Sequence, residues 1–497
     1  MIASTTGGKV QGLEKDSVLR FRGIPYAAPP VGAARFRPPQ PVEPWADVRD
    51  ATAFGRIAPQ ALGTVEAMLG ATLPPQDEDC LTLNVVTPGC DDGARPVMVW
   101  IHGGAFLTGS GSTPWYSGTQ LAARNDVVVV SINYRLGALG FSHLAALGEE
   151  FGGSGNCGIL DQIAALEWVR DNITAFGGDP ANVTIFGESA GGMSVSALLG
   201  TPSAAGLFHR AIAQSGSCHY VSQPDVAARI ANGVAAALGS TDLSIVLAAP
   251  VDALLLAQQK VGLEYLGEAG LRLPFQPVVD GVVLPRPPLE AVAGGSAAGV
   301  DLITGTTAQE FTLFALMEGE IDDARLRQRT ARAVGEANVD ALLDAYRVAT
   351  PNASARDLYV DLGTDLAFRI PAQRLLEAHA PTRPGGSRAY WFTYESTAFD
   401  GRLRSCHALD IPFTFDVVDH PGSALFLGAH TPEASRLATG MRTAWTSFAR
   451  TGTPVGDGLP EWPAWDAERR PTMELGVDRV VHDDPQSETR RAWDGLL

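Results

Sequence analysis

Residues 183–200 read VTIFGESAGGMSVSALLG. Four apolar or β-branched residues, Val183 to Phe186, run into Gly187-Glu188-Ser189-Ala190-Gly191-Gly192, and a helix-like run of small and apolar residues follows. A serine between glycines at an abrupt change of periodicity constrains the fold, because a strand must pass into a helix through a very tight turn. In one reading the glycines only permit that turn, and Ser189 caps the helix. In the other the turn is a nucleophile elbow. It lifts Ser189 Oγ above a sheet and points the first helical N–H, with its partial positive charge, at a developing oxyanion. The G-x-S-x-G spacing carries little weight alone in a chain with 54 glycines. Its strand–turn–helix setting favours the elbow.

The surroundings supply the sheet. Three strand-like runs, CLTLNVVTP, PVMVWIHGG and DVVVVSINYR, lie between Cys80 and Arg135, and the last two are almost continuously apolar, as suits strands covered on both faces. Ile159, Ile163, Leu166 and Val169 recur at spacings of three and four, which predicts an amphipathic helix closed by Gly177-Gly178. The strand at 183–186 follows at once, so the order is βαβ and the sheet parallel. Ile212–Gln214, Leu302–Thr304 and SRAYWFTYES read as further strands, whereas 223–268 and 320–380 read as helical. The proline-rich stretch GIPYAAPPVGAARFRPPQP, within residues 1–55, predicts a surface wrap without long regular elements. The expectation is an α/β chain with a large, mostly parallel central sheet flanked by helices. One domain spans 1–497, with helical insertions at roughly 219–300 and 315–385.

Composition narrows the function. Among 497 residues, 45% are hydrophobic, enough for a large core, and the formal net charge is −18 with no basic run. Nucleic acid and anionic membrane surfaces are therefore poor partners, and the acidity reads as a solubilising surface. The start, MIASTTGGKVQGLEKDSVLRFRGIPYA, lacks a basic segment followed by an apolar one, and no stretch offers about 20 uninterrupted apolar residues. Five cysteines without C-x-x-C spacing indicate neither a zinc site nor a disulfide framework. A cytoplasmic protein with reduced thiols, a monomer or weak homo-oligomer, is expected.

A serine hydroxyl becomes a nucleophile when a neutral histidine takes its proton and a carboxylate holds that histidine in the right tautomer. In the α/β-hydrolase arrangement the order is serine, acid, histidine. Glu310 lies just past the apolar run ending at Thr304, in the right kind of loop for the acid. His379, His407, His420 and His430 are the candidate bases, and periodicity does not choose among them. His407 follows the AYWFTYES strand in a loop rich in glycine and arginine, where the topology wants it. Upstream, VWIHGGAF follows a strand, and Gly103-Gly104 would let backbone N–H groups approach a substrate oxygen closely.

Nearly the whole chain resembles the type B carboxylesterases, a family that includes bacterial p-nitrobenzyl esterases and animal cholinesterases. FRGIPYAAPPVGAARFRPPQP, EDCLTLNV, VMVWIHGGAF, VSINYRLGALGF, GNCGILDQIAALEWVRDNITAFGGDPANVTIFGESAGG, AIAQSGS, WTSFARTGTP and WPAW carry the likeness. It implies the α/β-hydrolase fold and a serine esterase with Ser189 as nucleophile, Glu310 as acid and His407 as base. Gly103, Gly104 and Ala190 match the oxyanion hole, and no metal or organic cofactor is implied. By the same analogy Arg35 with Glu78, and Arg135 with Asp161, are structural ion pairs. Three departures stand out: Ala58 where disulfide-bearing relatives have a cysteine to bridge to Cys80, Phe311 where glycine commonly follows the acid, and Asp410 where glutamate is usual. The same machinery could act on carbamates, aryl amides or aromatic polyester fragments. A non-catalytic adhesion role is disfavoured because Ser189, Glu310 and His407 are all present. The substrate pocket is expected from loops around 219–275 and 311–320.

Overall fold

The computed structural model describes residues 1–63, 72–269, 273–316 and 318–497. Residues 270–272 and 317, which belong to the expected pocket loops, lie outside the described residues. An 11-stranded sheet organises the rest. Its spatial order is Val481–Asp483, Pro471–Leu475, Ser387–Phe392, Asp301–Thr307, Arg210–Gln214, Gly178–Glu188, Arg95–Ile101, Val128–Ile132, Thr82–Thr87, Val18–Pro25, Leu13–Lys15. From Pro471–Leu475 through Val128–Ile132 every neighbouring pair is parallel, and both margins are antiparallel. The expected α/β-hydrolase architecture, mostly parallel at its centre, is what the chain adopts.

The apolar runs explain why the sheet is buried on both faces. In Arg95–Ile101, Val97, Val99 and Ile101 join one core cluster while Met98 and Trp100 join the other. Alternation along a strand sends neighbouring side chains to opposite faces, so a continuous apolar run feeds two cores at once. The helix Cys157–Asn172 packs on the first face, and the helix Pro432–Thr451, with fully buried Trp445, covers the second. The segments between the strands Arg210–Gln214, Asp301–Thr307 and Ser387–Phe392 are helical, including Pro224–Ala237, Val251–Ala269, Asp323–Val334, Val339–Ala349, Ala355–Thr364 and Ile370–His379. Among the described residues no helix is long and apolar enough to cross a membrane.

The N-terminal region departs from the sequence reading. Residues 26–48 lack long elements as expected, but Val18–Pro25 is an eight-residue strand of the main sheet, and Ile2–Thr5, Gly8–Gln11 and Arg49–Asp50 form a small second sheet. Pro25 is tolerated because it ends its strand, where a missing N–H costs least, and a register shift between Phe21 and Ile24 accommodates Gly23. Both implied ion pairs are present. Arg135 grips Asp161 through Nε and Nη2 at 2.8 and 2.7 Å, with both side chains buried, and Arg35 Nε donates to Glu78 Oε2 at 2.6 Å. All five cysteines are free thiols.

Candidate active site

The strand Gly178–Glu188 ends one residue before Ser189, and the helix Ala190–Leu199 begins one residue after it. Ser189 takes φ 57° and ψ −124°, a conformation that costs a non-glycine residue of order 1–3 kcal/mol and survives only where the surroundings enforce it. Here the Ser189 N–H donates to Gln214 C=O at 2.9 Å, and its own carbonyl accepts from Met193 N–H at 2.8 Å. The tight approach needs Gly191, where an added Cβ would sit 2.0 Å from the Ile101 carbonyl oxygen. Ala190 opens the helix, so its N–H has no intrahelical acceptor.

The loop after the strand Arg95–Ile101 faces this turn. A Cβ on Gly103 would lie 3.1 Å from Ser189 Cβ, which makes the loop and the elbow direct neighbours. Gly104 has φ +112°, which a side chain would resist. Among the described residues, no backbone hydrogen bond uses the N–H of Gly103 or Gly104. The loop is pinned from behind. His102 stacks on Tyr134 at 4.5 Å, the Tyr134 hydroxyl donates to the His102 carbonyl at 2.8 Å, and burial lowers the His102 pKa to about 4, keeping it neutral.

Glu310 and His407 meet. His407 Nδ1 lies 2.5 Å from Glu310 Oε2, while Glu310 Oε1 accepts from Ser215 Oγ at 2.6 Å and from Thr307 N–H at 2.8 Å. Both side chains are buried. The other imidazole nitrogen, Nε2, stands 3.3 Å from Glu188 Oε1, within ion-pair range though not aligned as a hydrogen bond. Among the described residues no hydrogen bond joins Ser189 Oγ to His407, and in ligand-free enzymes this bond is often long until substrate binds. Of the remaining candidates, His379 is bonded to Ser387 and the Val300 carbonyl, His420 caps the helix Pro421–Leu427, and exposed His430 contacts Ser435.

Carboxylates dominate the electrostatics. Burial alone would lower the His407 pKa, but Glu188, Glu310 and Asp410 outweigh it and raise it to about 9. Burial likewise pushes Glu188 up to about 8, against the pull of His407. Asp410, raised to about 6 chiefly by burial, accepts at Oδ2 from Gln214 Nε2 at 2.8 Å and from the Tyr390 hydroxyl at 2.9 Å, while its Oδ1 has no partner. The sequence reading gave no role to Glu188 or Ser215, although both sit inside motifs it quoted. Phe311, the departure beside Glu310, is buried and fills the space above Gly363, where a Cβ would lie 2.5 Å from its ring.

The arrangement can present a serine hydroxyl and a histidine backed by a carboxylate to a carbonyl carbon, with backbone N–H groups of the turn and the glycine loop beside its oxygen. Comparison with known proteins agrees with that chemistry. The model of the carboxylesterase family matches residues 1–493. The chain is 39% identical over 492 residues to the para-nitrobenzyl esterase of Bacillus subtilis (strain 168), covering 99% of this chain and 98% of that protein. It is 37% identical to the phenmedipham hydrolase of Pseudarthrobacter oxydans, covering 96% and 95%. The solved structure of a Geobacillus stearothermophilus carboxylesterase superposes with a TM-score of 0.89 at 41% identity, covering 99% of each chain.

Proposed function

The chain belongs to the carboxylesterase family and is a carboxylic ester hydrolase, and from that premise we propose that Ser189 is its nucleophile, His407 its general base and Glu310 the acid that orients His407. Ser189 Oγ attacks the ester carbonyl as His407 Nε2 takes the proton, and the Glu310 carboxylate on Nδ1 stabilises the imidazolium that forms. The N–H groups of Gly103, Gly104 and Ala190 receive the tetrahedral oxyanion, an effect worth about 10²–10³ in rate per donor in comparable sites. His407 then returns the proton to the leaving alcohol. Water, activated by the same imidazole, releases the acid from the acyl-enzyme.

The observation that carries this reading is the 2.5 Å contact between Glu310 Oε2 and His407 Nδ1, with His407 Nε2 3.3 Å from Oε1 of Glu188, the residue before the strained Ser189. We read residues 1–497 as one domain of a cytoplasmic monomer or weak homo-oligomer that acts on small esters without a metal or organic cofactor. Treatment with an organophosphate should add one phosphoryl group per chain, on the peptide containing Ser189, with complete loss of p-nitrophenyl ester turnover. A label on another residue, or activity surviving full labelling, overturns the assignment. Running matched p-nitrophenyl esters of several acyl lengths beside an aryl carbamate and an aryl amide defines the preferred acyl group.

A further inference from the structure

The glycine loop that follows the strand Arg95–Ile101 is gripped at its far end by one side chain. Gln60 Oε1 accepts from the Gly109 N–H at 2.7 Å, and Gln60 Nε2 donates to the Gly109 carbonyl at 2.9 Å. A single amide thus satisfies both the donor and the acceptor of one residue, as a neighbouring strand would. Gln60 is buried and is itself fixed. Its N–H donates to Gln76 Oε1 at 2.7 Å, and its Nε2 also donates to the Ala58 carbonyl at 3.0 Å. Cys80 is a free thiol, so no disulfide shares this load.

Gly109 connects the amide to the loop facing Ser189. It has φ +104°, and a Cβ there would lie 2.5 Å from both the Gly103 carbonyl oxygen and His102 Nδ1. The Gly109 backbone is therefore packed directly on the peptide that joins Gly103 to Gly104. That peptide has a set direction. His102 Nδ1 lies 2.8 Å from the Gly103 oxygen and, facing a carbonyl, donates to it. In a trans peptide the N–H points opposite to the C=O, so the Gly104 N–H points away from His102. Between the two glycines, the N–H groups of Leu107 and Thr108 both donate to the Gly104 carbonyl at 2.9 Å and close a tight turn. Those bonds set the shape of the turn. Its placement comes from Gln60.

A loop this rich in glycine needs such a restraint. Gly103, Gly104 and Gly109 have wide conformational freedom, and a buried peptide whose N–H and C=O lose their partners turns to find others. We propose that Gln60 is a positioning residue for the oxyanion hole: by clamping Gly109 it holds the Gly103–Gly104 peptide, and with it the Gly104 N–H, aimed at the developing oxyanion. Both N–H bonds of its amide are used, on Gly109 and Ala58, so its effect is exerted through the loop. The inference rests on the reading of Ser189 as nucleophile and of Gly103, Gly104 and Ala190 as donors.

The test compares Gln60→Met and Gln60→Glu with wild type, using p-nitrophenyl acetate and butyrate together with an alkyl trifluoromethyl ketone. Ser189 Oγ adds to that ketone to give a hemiketal whose oxyanion needs the same donors. Losing one oxyanion donor costs about 10²–10³ in rate, and misaiming one should cost part of that. Acylation and deacylation both pass through the oxyanion, so Gln60→Met should lose about 10- to 100-fold in kcat on both esters, with KM within about threefold. Ketone inhibition should weaken by the same factor, within about threefold. The midpoint of the pH profile should stay where it is in wild type, since the groups around His407 are untouched. Gln60→Glu keeps the size and the bond from the Gly109 N–H but cannot donate to the Gly109 carbonyl; it should lose about 3- to 30-fold, and it carries the test if the methionine variant does not fold. Wild-type rates in the folded variants, a loss confined to KM, a moved midpoint in Gln60→Met, or a loss in kcat without matching weakening of the ketone overturns the proposal. Ser189→Ala is measured alongside: if it stays active or binds the ketone as wild type does, the nucleophile assignment fails, and if it is dead and blind to the ketone while the Gln60 variants behave as wild type, only the positioning role fails.

Discussion

Nε2 of His407 stands 3.3 Å from Oε1 of Glu188, the residue immediately before Ser189. The proposed base is therefore paired with an acid on either side, and its proton is hard to remove. With Glu188 raised to about 8 and His407 to about 9, the two titrate as a coupled pair. A base works only when deprotonated, so kcat/KM should rise with pH through a midpoint well above the ordinary histidine value of about 6.5. Glu188→Gln removes a negative charge that stabilises the imidazolium, so the midpoint should move down toward that ordinary value. Profiles from pH 5 to 10 decide it. A wild-type midpoint at or below about 6.5 would contradict this account of the cluster.

Glu310 has both carboxylate oxygens engaged, one by His407 and the other by Ser215 and Thr307. Glu310→Gln keeps the size, but it neither fixes the tautomer nor stabilises the imidazolium. We expect kcat to fall by roughly three to four orders of magnitude with a near-normal melting temperature. Glu310→Asp should lose less, since the charge stays while the reach shortens. Retention of more than about a tenth of wild-type kcat in Glu310→Gln would remove Glu310 from the role.

The Arg135–Asp161 pair is a matter of stability alone. Asp161→Asn leaves the Arg135 guanidinium buried without its counter-charge, a loss of about 3–5 kcal/mol in urea unfolding. Replacing both partners, as Arg135→Met with Asp161→Leu, should recover a good part of it, because no charge is then stranded. The folded fraction of each variant should turn over esters at the wild-type rate.

Phe311 and Gly363 are one packing unit. Alanine usually stabilises a helical glycine site by about 1 kcal/mol, yet at 363 the new methyl would stand 2.5 Å from the Phe311 ring. Overpacking of this kind costs about 1–3 kcal/mol, so Gly363→Ala should lower the melting temperature. Adding Phe311→Leu to Gly363→Ala should restore it. Additive effects of the two changes would show that the ring and the glycine are independent.

The elements legible in the sequence are those whose signals are local. Val97 to Ile101 and Val128 to Ile132 declare doubly covered strands by composition alone, and the glycines around Ser189 mark a turn that no other residue fits. The strand Val18–Pro25 was hidden by the prolines that follow it, since its pairing with Thr82–Thr87 is set about 60 residues away. Glu188 and Gln60 were unreadable for a related reason. Neither the approach of Glu188 to His407, 219 positions on, nor an amide that clamps Gly109, 49 positions on, leaves a periodic trace. The Phe311 departure is also intelligible only with the partner in view, because the compensating Gly363 lies on another helix.

Trp493 donates to the Tyr346 hydroxyl that in turn holds Asp365, so the π turn Asp365–Arg369 between the helices Ala355–Thr364 and Ile370–His379 depends on a residue made 128 positions after Asp365. At translation speeds of about 5–20 residues per second, that lag amounts to roughly 6 to 26 seconds. The strands flanking Ser189 can pair within that interval, while Asp365 still waits for its full set of donors. The nascent chain can thus form its nucleophile turn well before Trp493, the donor behind Tyr346 and Asp365, has been made.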